Sequence, residues 1–177
     1  MKYTITTPLY YVNDKPHLGS SYTTIACDAI ARFNRLNGNS VLFLTGVDEH
    51  GQKIERTAKS KNLDPQKHCD EIAEQYVFLW DKLNITYDRF VRTTSPEHKS
   101  LVHQFYSKVV NSDDVYMGRQ CGWYCVGCEE YKDVDKNDKS PLCAIHNKDL
   151  EWRDEENLFF KLSKYQGQIE DLIQKDG

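Results

Sequence analysis

The sequence has no apolar run approaching the ~20 residues that a membrane-spanning helix requires. Its first residues, 1–5, carry neither the apolar region of a secretory signal nor the Arg-rich composition of a transit peptide. We therefore expect a cytoplasmic protein with no membrane partner.

An excess of positive charge is also missing, because 23 Lys and Arg stand against 27 Asp and Glu, for a formal net charge of -4. Nonspecific nucleic-acid binding depends on clustered basic side chains that neutralise phosphates, so this charge balance argues against a nucleic-acid-binding surface over the whole chain. Any nucleic-acid contact is expected to be local. The 177 residues are enough for one substantial domain with a small insert, but not for two large domains.

The first part of the chain alternates predicted strands and helices. Residues 2–6 alternate polar and apolar side chains and predict a strand. Residues 20–37 carry apolar side chains at helical spacing, followed by Gly38 at a C-terminal capping position, and predict an amphipathic helix. The apolar run 41–44 then predicts a strand covered on both faces, which completes a right-handed crossover unit.

The alternation continues to about residue 114. We predict a second helix after Gly51, a third that starts at Asp64 and Pro65, a strand around Phe90, and a fourth helix that starts at Ser95 and Pro96. The third helix places one apolar stripe toward the core, at Ile72, Tyr76, Leu79, Trp80 and Leu83. Residues 1–114 therefore predict an α/β domain with an open, doubly wound parallel sheet of Rossmann-like type.

After residue 114 the pattern changes to short strand-like pieces, a cysteine cluster and a polar run at 132–140. We predict that residues 115–162 form a small inserted subdomain whose last strand holds residues 158–160. Residues 163–177 then begin a terminal helix, capped by Ser163, with Ile169, Leu172 and Ile173 on its buried face.

Four side chains of the insert have metal-ligand spacing. Cys125 and Cys128 form one pair and Cys143 and His146 form a second pair with the same internal spacing. Four such ligands suit tetrahedral Zn²⁺ in a closed, structural site. The alternatives are free thiols beside an incidental histidine, or a redox Cys-x-x-Cys pair. Cys121 breaks the paired spacing and is predicted not to ligate. Cys27 and Cys69 fall on predicted helices and are predicted to be core residues.

Two loops follow predicted parallel strands and are expected to meet over the ligand crevice. The first contains Tyr11 and the turn His17-Leu18-Gly19, where a glycine at the start of a helix lets backbone N–H groups approach a phosphate. The second contains Asp48, a fixed anion suited to an ammonium group, although the segment Asp48-Glu49-His50 by itself is better explained as a solvated helix N-terminus, where acidic residues are favoured.

In combination these motifs closely resemble the N-terminal catalytic region of the methionyl-tRNA synthetases, which are class I aminoacyl-tRNA synthetases. The resemblance covers essentially the whole chain. The motifs that carry it are Thr-Pro-Leu-Tyr-Tyr-Val-Asn at 7–13, Pro-His-Leu-Gly at 16–19, Leu-Thr-Gly-Val-Asp-Glu-His-Gly at 44–51, Asp-Arg-Phe-Val-Arg-Thr-Thr at 88–94, Trp-Tyr-Cys at 123–125 with the two ligand pairs, and residues 157–166.

The resemblance implies roles for individual residues. His17 and Gly19 match a signature that binds ATP and stabilises charge at the α-phosphate. Ser20 stands at the signature's fourth position, where the family usually has histidine, and is expected to act with His17 in catalysis and ATP binding. Leu9 and Tyr11 match positions of the methionine pocket, and Asp48 matches the residue that holds the methionine ammonium.

The same resemblance implies L-methionine, ATP with Mg²⁺ and the acceptor end of tRNA(Met) as partners, with one structural zinc in a connective insert. The family's Lys-Met-Ser-Lys-Ser loop and helical anticodon-binding domain would follow the insert, whereas the sequence stops at Gly177. We therefore expect an N-terminal fragment that is inactive by itself. Two alternatives stay open, namely another class I synthetase and a noncatalytic zinc-knob fragment that binds RNA or a protein partner.

Overall fold

The computed structural model describes residues 1–135, 138 and 140–176. Part of the predicted polar run 132–140, namely residues 136, 137 and 139, lies outside the described residues, as does residue 177. The chain divides into two compact units, Met1–Ser100 and Leu101–Gly177. The domain boundaries predicted after residues 114 and 162 stay a prediction. Across the described residues, no helix combines the length and apolar character needed to cross a membrane.

The first unit contains a parallel sheet and helices in alternation, as the sequence predicts. The predicted α/β fold with a parallel sheet is confirmed. Its elements are β1 (Lys2–Thr6), β2 (Tyr10–Tyr11), α1 (Leu18–Leu36), β3 (Ser40–Asp48), α2 (Gln52–Ser60), α3 (Pro65–Lys82) and β4 (Arg89–Arg92). Helix α4 (Pro96–Asn111) begins in the first unit and ends in the second.

Strand β3 is the centre of this sheet, and its three neighbours all pair with it in parallel. β1 and then β2 lie along one edge of β3, while β4 lies along the other. Gly46 sits where β3 and β4 approach closely, since a Cβ there would lie 2.0 Å from the Val91 carbonyl oxygen. The predicted strand 41–44 is thus only the first half of β3, because residues 45–48 also pair with β4 and β2 despite their mixed polarity.

The core of the first unit lies against α2 and α3. Trp80 is fully buried and its ring lies 5.8 Å from that of Tyr76, which stacks on Tyr10 of β2 at 5.3 Å. The predicted α3 stripe is confirmed at its buried members, but Leu83 caps the helix C-terminus and is exposed. The buried cluster comprises Val12, Val47, Ile54, Cys69, Ile72, Ala73, Tyr76 and Trp80.

Helix α1 is present as predicted, but a polar side of it is the buried one. Its buried residues are Ser20, Thr24, Asp28 and Ala31. Apolar side chains that suggested a core-facing stripe are exposed, with Leu36 at 88%. The polar side is buried because its groups find hydrogen-bond partners there, including the Tyr10 hydroxyl 2.8 Å from Thr24 Oγ1.

The second unit contains an antiparallel sheet in the order β6–β5–β7, formed by β5 (Val115–Cys125), β6 (Glu130–Lys132) and β7 (Glu151–Phe160). A 3₁₀ turn (Leu162–Tyr165) and α5 (Gln166–Asp176) follow. The predicted capping role of Ser163 is wrong, because Ser163 lies inside the 3₁₀ turn. Within the described residues, Ile169, Leu172 and Ile173 are exposed, so the predicted buried face of α5 is also wrong.

Candidate functional site

The His17 turn begins α1, and its side chain caps the helix. The Gly19 N–H donates to His17 Nδ1 at 3.0 Å. A nitrogen that accepts a hydrogen bond carries no proton, so a neutral His17 ring holds its proton on Nε2. The ring packs directly over Gly19, where a Cβ would lie 2.9 Å from His17 Cε1. The exposed imidazole therefore presents a donor beside a helix N-terminus, where anions are favoured.

Ser20 completes the same cap and is only 2% exposed. Its hydroxyl donates to the His17 carbonyl oxygen at 2.7 Å and accepts from the His17 N–H at 3.1 Å. Its own carbonyl oxygen accepts from the Tyr10 hydroxyl at 3.1 Å. The Ser20 hydroxyl is thus occupied with the main chain of His17, which fixes the position from which the imidazole projects.

Tyr11 and Asp48 are brought together by strand register. They are paired residues at the carboxyl ends of the parallel strands β2 and β3. The Tyr11 ring is 45% exposed, and Lys53 Nζ of α2 lies 5.8 Å from its centroid. Leu9, two residues earlier, is also exposed. The carboxyl end of the sheet therefore offers an aromatic ring on β2, a carboxylate on β3 and an aliphatic side chain just before β2.

The Asp48 strand end is held by residues that sequence reasoning missed. The side chain of Glu49 is fully buried, and its Oε1 accepts from Arg92 Nε at 2.8 Å. Its Oε2 accepts from the Thr94 hydroxyl at 2.5 Å. Thr93 accepts from the Glu49 N–H at 2.9 Å. The sequence signal that could have identified them is the polar run Arg92-Thr93-Thr94 at the carboxyl end of β4, the same end of the sheet as Asp48.

The ion pairs around Arg92 also set pKa values. The Arg92 guanidinium lies 2.5 Å from Asp70 Oδ1 of α3. Its hydrogen bond, followed by that of Gln66, lowers the pKa of Asp70. Although burial alone would lower the pKa of Arg92, Glu49 and Asp70 raise it. Cys69, predicted as core, is buried beside this cluster, and burial raises the pKa of its thiol to about 11. That thiol is therefore protonated and chemically inert at neutral pH.

All four predicted metal ligands form one cluster. The ligand atoms of Cys125, Cys128, Cys143 and His146 lie within 4.8 Å of one another. The Sγ atoms of Cys128 and Cys143 are 3.6 Å apart, and His146 Nδ1 lies 3.3 to 3.7 Å from the three sulfurs. Tetrahedral zinc with ordinary bond lengths requires about 3.8 Å between sulfurs and about 3.6 Å between sulfur and nitrogen. The donor set and its spacing fit a zinc ion.

Local chemistry around the cluster also suits a metal. The hydrogen bond from the main-chain N–H of His146 is the largest cause that lowers the pKa of the Cys143 thiol to about 6. Thiolate is the form that ligates metals, so this lowering favours the ligating form of Cys143. Gly127 leaves room for the histidine, because a Cβ there would lie 2.8 Å from the His146 ring. Cys121 is exposed on β5 and is not part of the cluster.

Comparisons with known proteins agree with this geometry. The family model described as tRNA synthetases class I (M) matches residues 3–137. The methionine–tRNA ligase of Thermosynechococcus vestitus is 58% identical over 165 residues, which cover 93% of this chain and 31% of that relative. The corresponding ligase of Nostoc sp. is 55% identical over 173 residues, which cover 97% of this chain and 33% of that relative.

Among solved structures, Mycobacterium tuberculosis methionyl-tRNA synthetase in complex with methionyl-adenylate matches with a TM-score of 0.89 and 32% sequence identity. The match covers 98% of this chain and 35% of that one. The chain thus spans about a third of the length of the curated relatives it matches. On sequence and structure alike, the chain belongs to the class I tRNA synthetases (M).

Proposed function

We propose that this chain is the N-terminal part of a cytoplasmic methionine–tRNA ligase. The complete enzyme would use ATP to convert L-methionine to methionyl-adenylate and would then transfer the methionyl group to tRNA(Met). The observation that carries the proposal is the pairing of Tyr11 with Asp48 at the carboxyl ends of parallel strands. Ligands of open α/β sheets bind at the carboxyl ends of the strands.

In this proposal methionine is held at both ends. The Asp48 carboxylate binds the ammonium group through a charge-assisted hydrogen bond. The Tyr11 ring and Leu9 contact the apolar side chain, because a polarizable thioether packs well against an aromatic ring. Tyr11 and Leu9 are exposed at the carboxyl end of the sheet and are therefore accessible to a substrate.

ATP would bind at the N-terminus of α1. His17 Nε2–H and the turn containing Gly19 would face the phosphates, and Mg²⁺ would accompany ATP as part of the substrate. A methionine carboxylate oxygen attacks the α-phosphorus, a new P–O bond forms, and the bond to the departing pyrophosphate breaks. His17 stabilises the negative charge that develops at the α-phosphate. Ser20 belongs to this catalytic and ATP site because its hydroxyl fixes the His17 main chain.

We also propose that Cys125, Cys128, Cys143 and His146 hold one structural Zn²⁺. Four protein ligands leave no position for a reactive water, so the ion would stabilise the fold. The apolar core around the cluster is small, with Leu150 as its buried aliphatic member, so metal binding would supply much of the folding free energy of this region. The second unit would then contact the acceptor end of tRNA(Met).

The experiment that tests the function is amino-acid-dependent pyrophosphate exchange by the protein expressed from the complete open reading frame that contains this sequence. Exchange should depend on methionine. Asp48→Asn should lower kcat/KM for methionine by about 100-fold, because the ammonium loses its anionic partner. The matched control Asp81→Asn, at an exposed position of α3, should retain wild-type exchange.

Two outcomes would contradict the proposal. Activation of a different amino acid would identify another class I synthetase. Absence of exchange with every amino acid, combined with binding of RNA or a protein by the zinc-containing unit, would identify a noncatalytic binding protein.

A further inference from the structure

Thr93 lies directly after β4, where the β3–β4 pairing ends. The last residues in register are Val47 and Arg92, so the next residue on each strand is Asp48 and Thr93. Thr93 is 9% exposed. Its hydroxyl oxygen therefore sits between the two strand ends rather than in solvent.

The Thr93 hydroxyl accepts one hydrogen bond and is free to donate another to Asp48. The Thr93 hydroxyl oxygen accepts from the Glu49 N–H at 2.9 Å. A hydroxyl that accepts still has one proton to donate. Asp48 Oδ1 lies 3.5 Å from the same oxygen, which places it in reach of that proton.

An ion pair between the buried Glu49 carboxylate and the half-buried Arg92 guanidinium supports the segment that contains Thr93. Glu49 and Arg92 connect the ends of β3 and β4 through their side chains, with Arg92 Nη2 2.6 Å from Glu49 Oε1. Thr94 donates two hydrogen bonds to Glu49 Oε2, one from its main-chain N–H and one from its hydroxyl. Arg92 is itself held by Asp70 of α3. The segment that carries the Thr93 hydroxyl is thus fixed from both strands and from a helix.

We propose that Thr93 is a positioning residue that orients the Asp48 carboxylate toward the ammonium group of the amino-acid substrate. This inference rests on the proposed role of Asp48. Thr93 itself touches no substrate; it acts through Asp48 by donating to Oδ1 and by holding the Glu49 N–H. The amino-acid ammonium binds in both the ground state and the transition state, so loss of this orientation weakens both equally.

The test is steady-state pyrophosphate exchange by the enzyme from the complete open reading frame, with Thr93→Val, Thr93→Ser and Thr45→Val variants. Thr93→Val keeps the shape but removes the hydroxyl, so the KM for methionine should rise about tenfold while kcat and the KM for ATP change less than about twofold. Thr93→Ser restores the hydroxyl and should return the KM for methionine to near the wild-type value. Thr45→Val removes another buried hydroxyl of this sheet, 2.8 Å from Thr7 Oγ1, and should leave that KM unchanged.

Thermal unfolding of each variant shows whether it is folded. The inference is overturned if folded Thr93→Val has an unchanged KM for methionine, if kcat or the KM for ATP changes as much, or if Thr93→Ser fails to rescue. These results are distinct from a failure of the proposed function, which the wild-type enzyme alone reveals. If the wild type activates another amino acid, the same KM comparison with that amino acid still tests Thr93, because all amino-acid substrates carry the ammonium group.

Discussion

Asp28 shows how one buried carboxylate joins distant parts of the first unit. Its Oδ1 accepts from the Thr86 N–H at 2.7 Å and from the Thr86 hydroxyl at 2.5 Å, while Oδ2 accepts from Arg32 Nε at 2.6 Å. Burial alone would raise the pKa of Asp28, but the hydrogen bonds from Thr86 and Arg32 outweigh burial and lower it. The ionised carboxylate therefore ties α1 to the segment that leads into β4.

We predict that Asp28 makes stability depend on acid pH. Because its pKa is lower in the folded chain, its ionised form stabilises the fold above the unfolded pKa of about 3.9. That contribution is lost as the pH falls through the folded pKa. Asp28→Asn should lower the free energy of unfolding at pH 7 by about 1–3 kcal/mol and flatten its decline below pH 4. Urea unfolding between pH 2 and about 7 measures this; Asp81→Asn, at an exposed site, should retain the wild-type profile.

Residue roles could be predicted from sequence where spacing is short. The metal cluster followed from two pairs three residues apart, and the structure brings all four side chains together. The Glu49–Arg92 pair and the Asp28–Thr86 pair could not be predicted. Their members are 43 and 58 residues apart, and only the tertiary fold brings them into contact. The position of Ser20 in the signature did not predict that its hydroxyl forms hydrogen bonds with the main chain of His17.

At the scale of elements, periodicity predicted the secondary structure but not which side is buried. α3 buries its apolar stripe, whereas α1 buries the side with Thr24 and Asp28 and exposes Phe33 and Leu36. Hydrogen-bond partners from β2 and the α3–β4 connection decide this, and periodicity contains no information about them. β3 extends past its apolar run for a similar reason, since pairing with β2 and β4 supplies its backbone partners.

The proposed ligands between the end of β5 and the start of β7 predict how much zinc the chain binds. The purified chain should contain one Zn²⁺, and Cys128→Ser should lose most of it because a neutral hydroxyl is a far weaker zinc ligand than a thiolate. Cys121→Ser, on an exposed position of β5, should keep a full equivalent. Metal analysis by mass spectrometry gives the stoichiometry. Less than half an equivalent in the wild-type chain, or equal loss in both variants, would contradict the proposed site.

At the scale of the whole molecule, the chain presents much apolar surface. In the described part of α4 no residue is buried, and Phe105 is 72% exposed. On α1, Leu18 and Leu36 are each more than 80% exposed. Such surface is more typical of an interface than of a free monomer, and the chain spans about a third of the length of its relatives.

We predict that the 177-residue chain by itself gives no detectable methionine-dependent pyrophosphate exchange. Its sequence contains no Lys-Met-Ser-Lys-Ser segment, and a lysine-bearing loop is what we expect to neutralise the departing pyrophosphate. The protein from the complete open reading frame serves as the positive control in the same assay. Robust exchange by the isolated chain would show that His17, Gly19 and Asp48 suffice without that loop.

The central place of β3 has a consequence for folding during synthesis. β3 pairs with β1 in the register Lys2 to Ser40, and with β4 in the register Leu44 to Arg89, so neither edge is formed by a local hairpin. During synthesis one edge of β3 has no partner until β4 has left the ribosome, about 45 residues later. Parallel pairings of such long sequence separation make folding slow. Between the emergence of β3 from the ribosome and that of β4, the nascent chain therefore exposes an unpaired β3 edge, the kind of surface that chaperones protect.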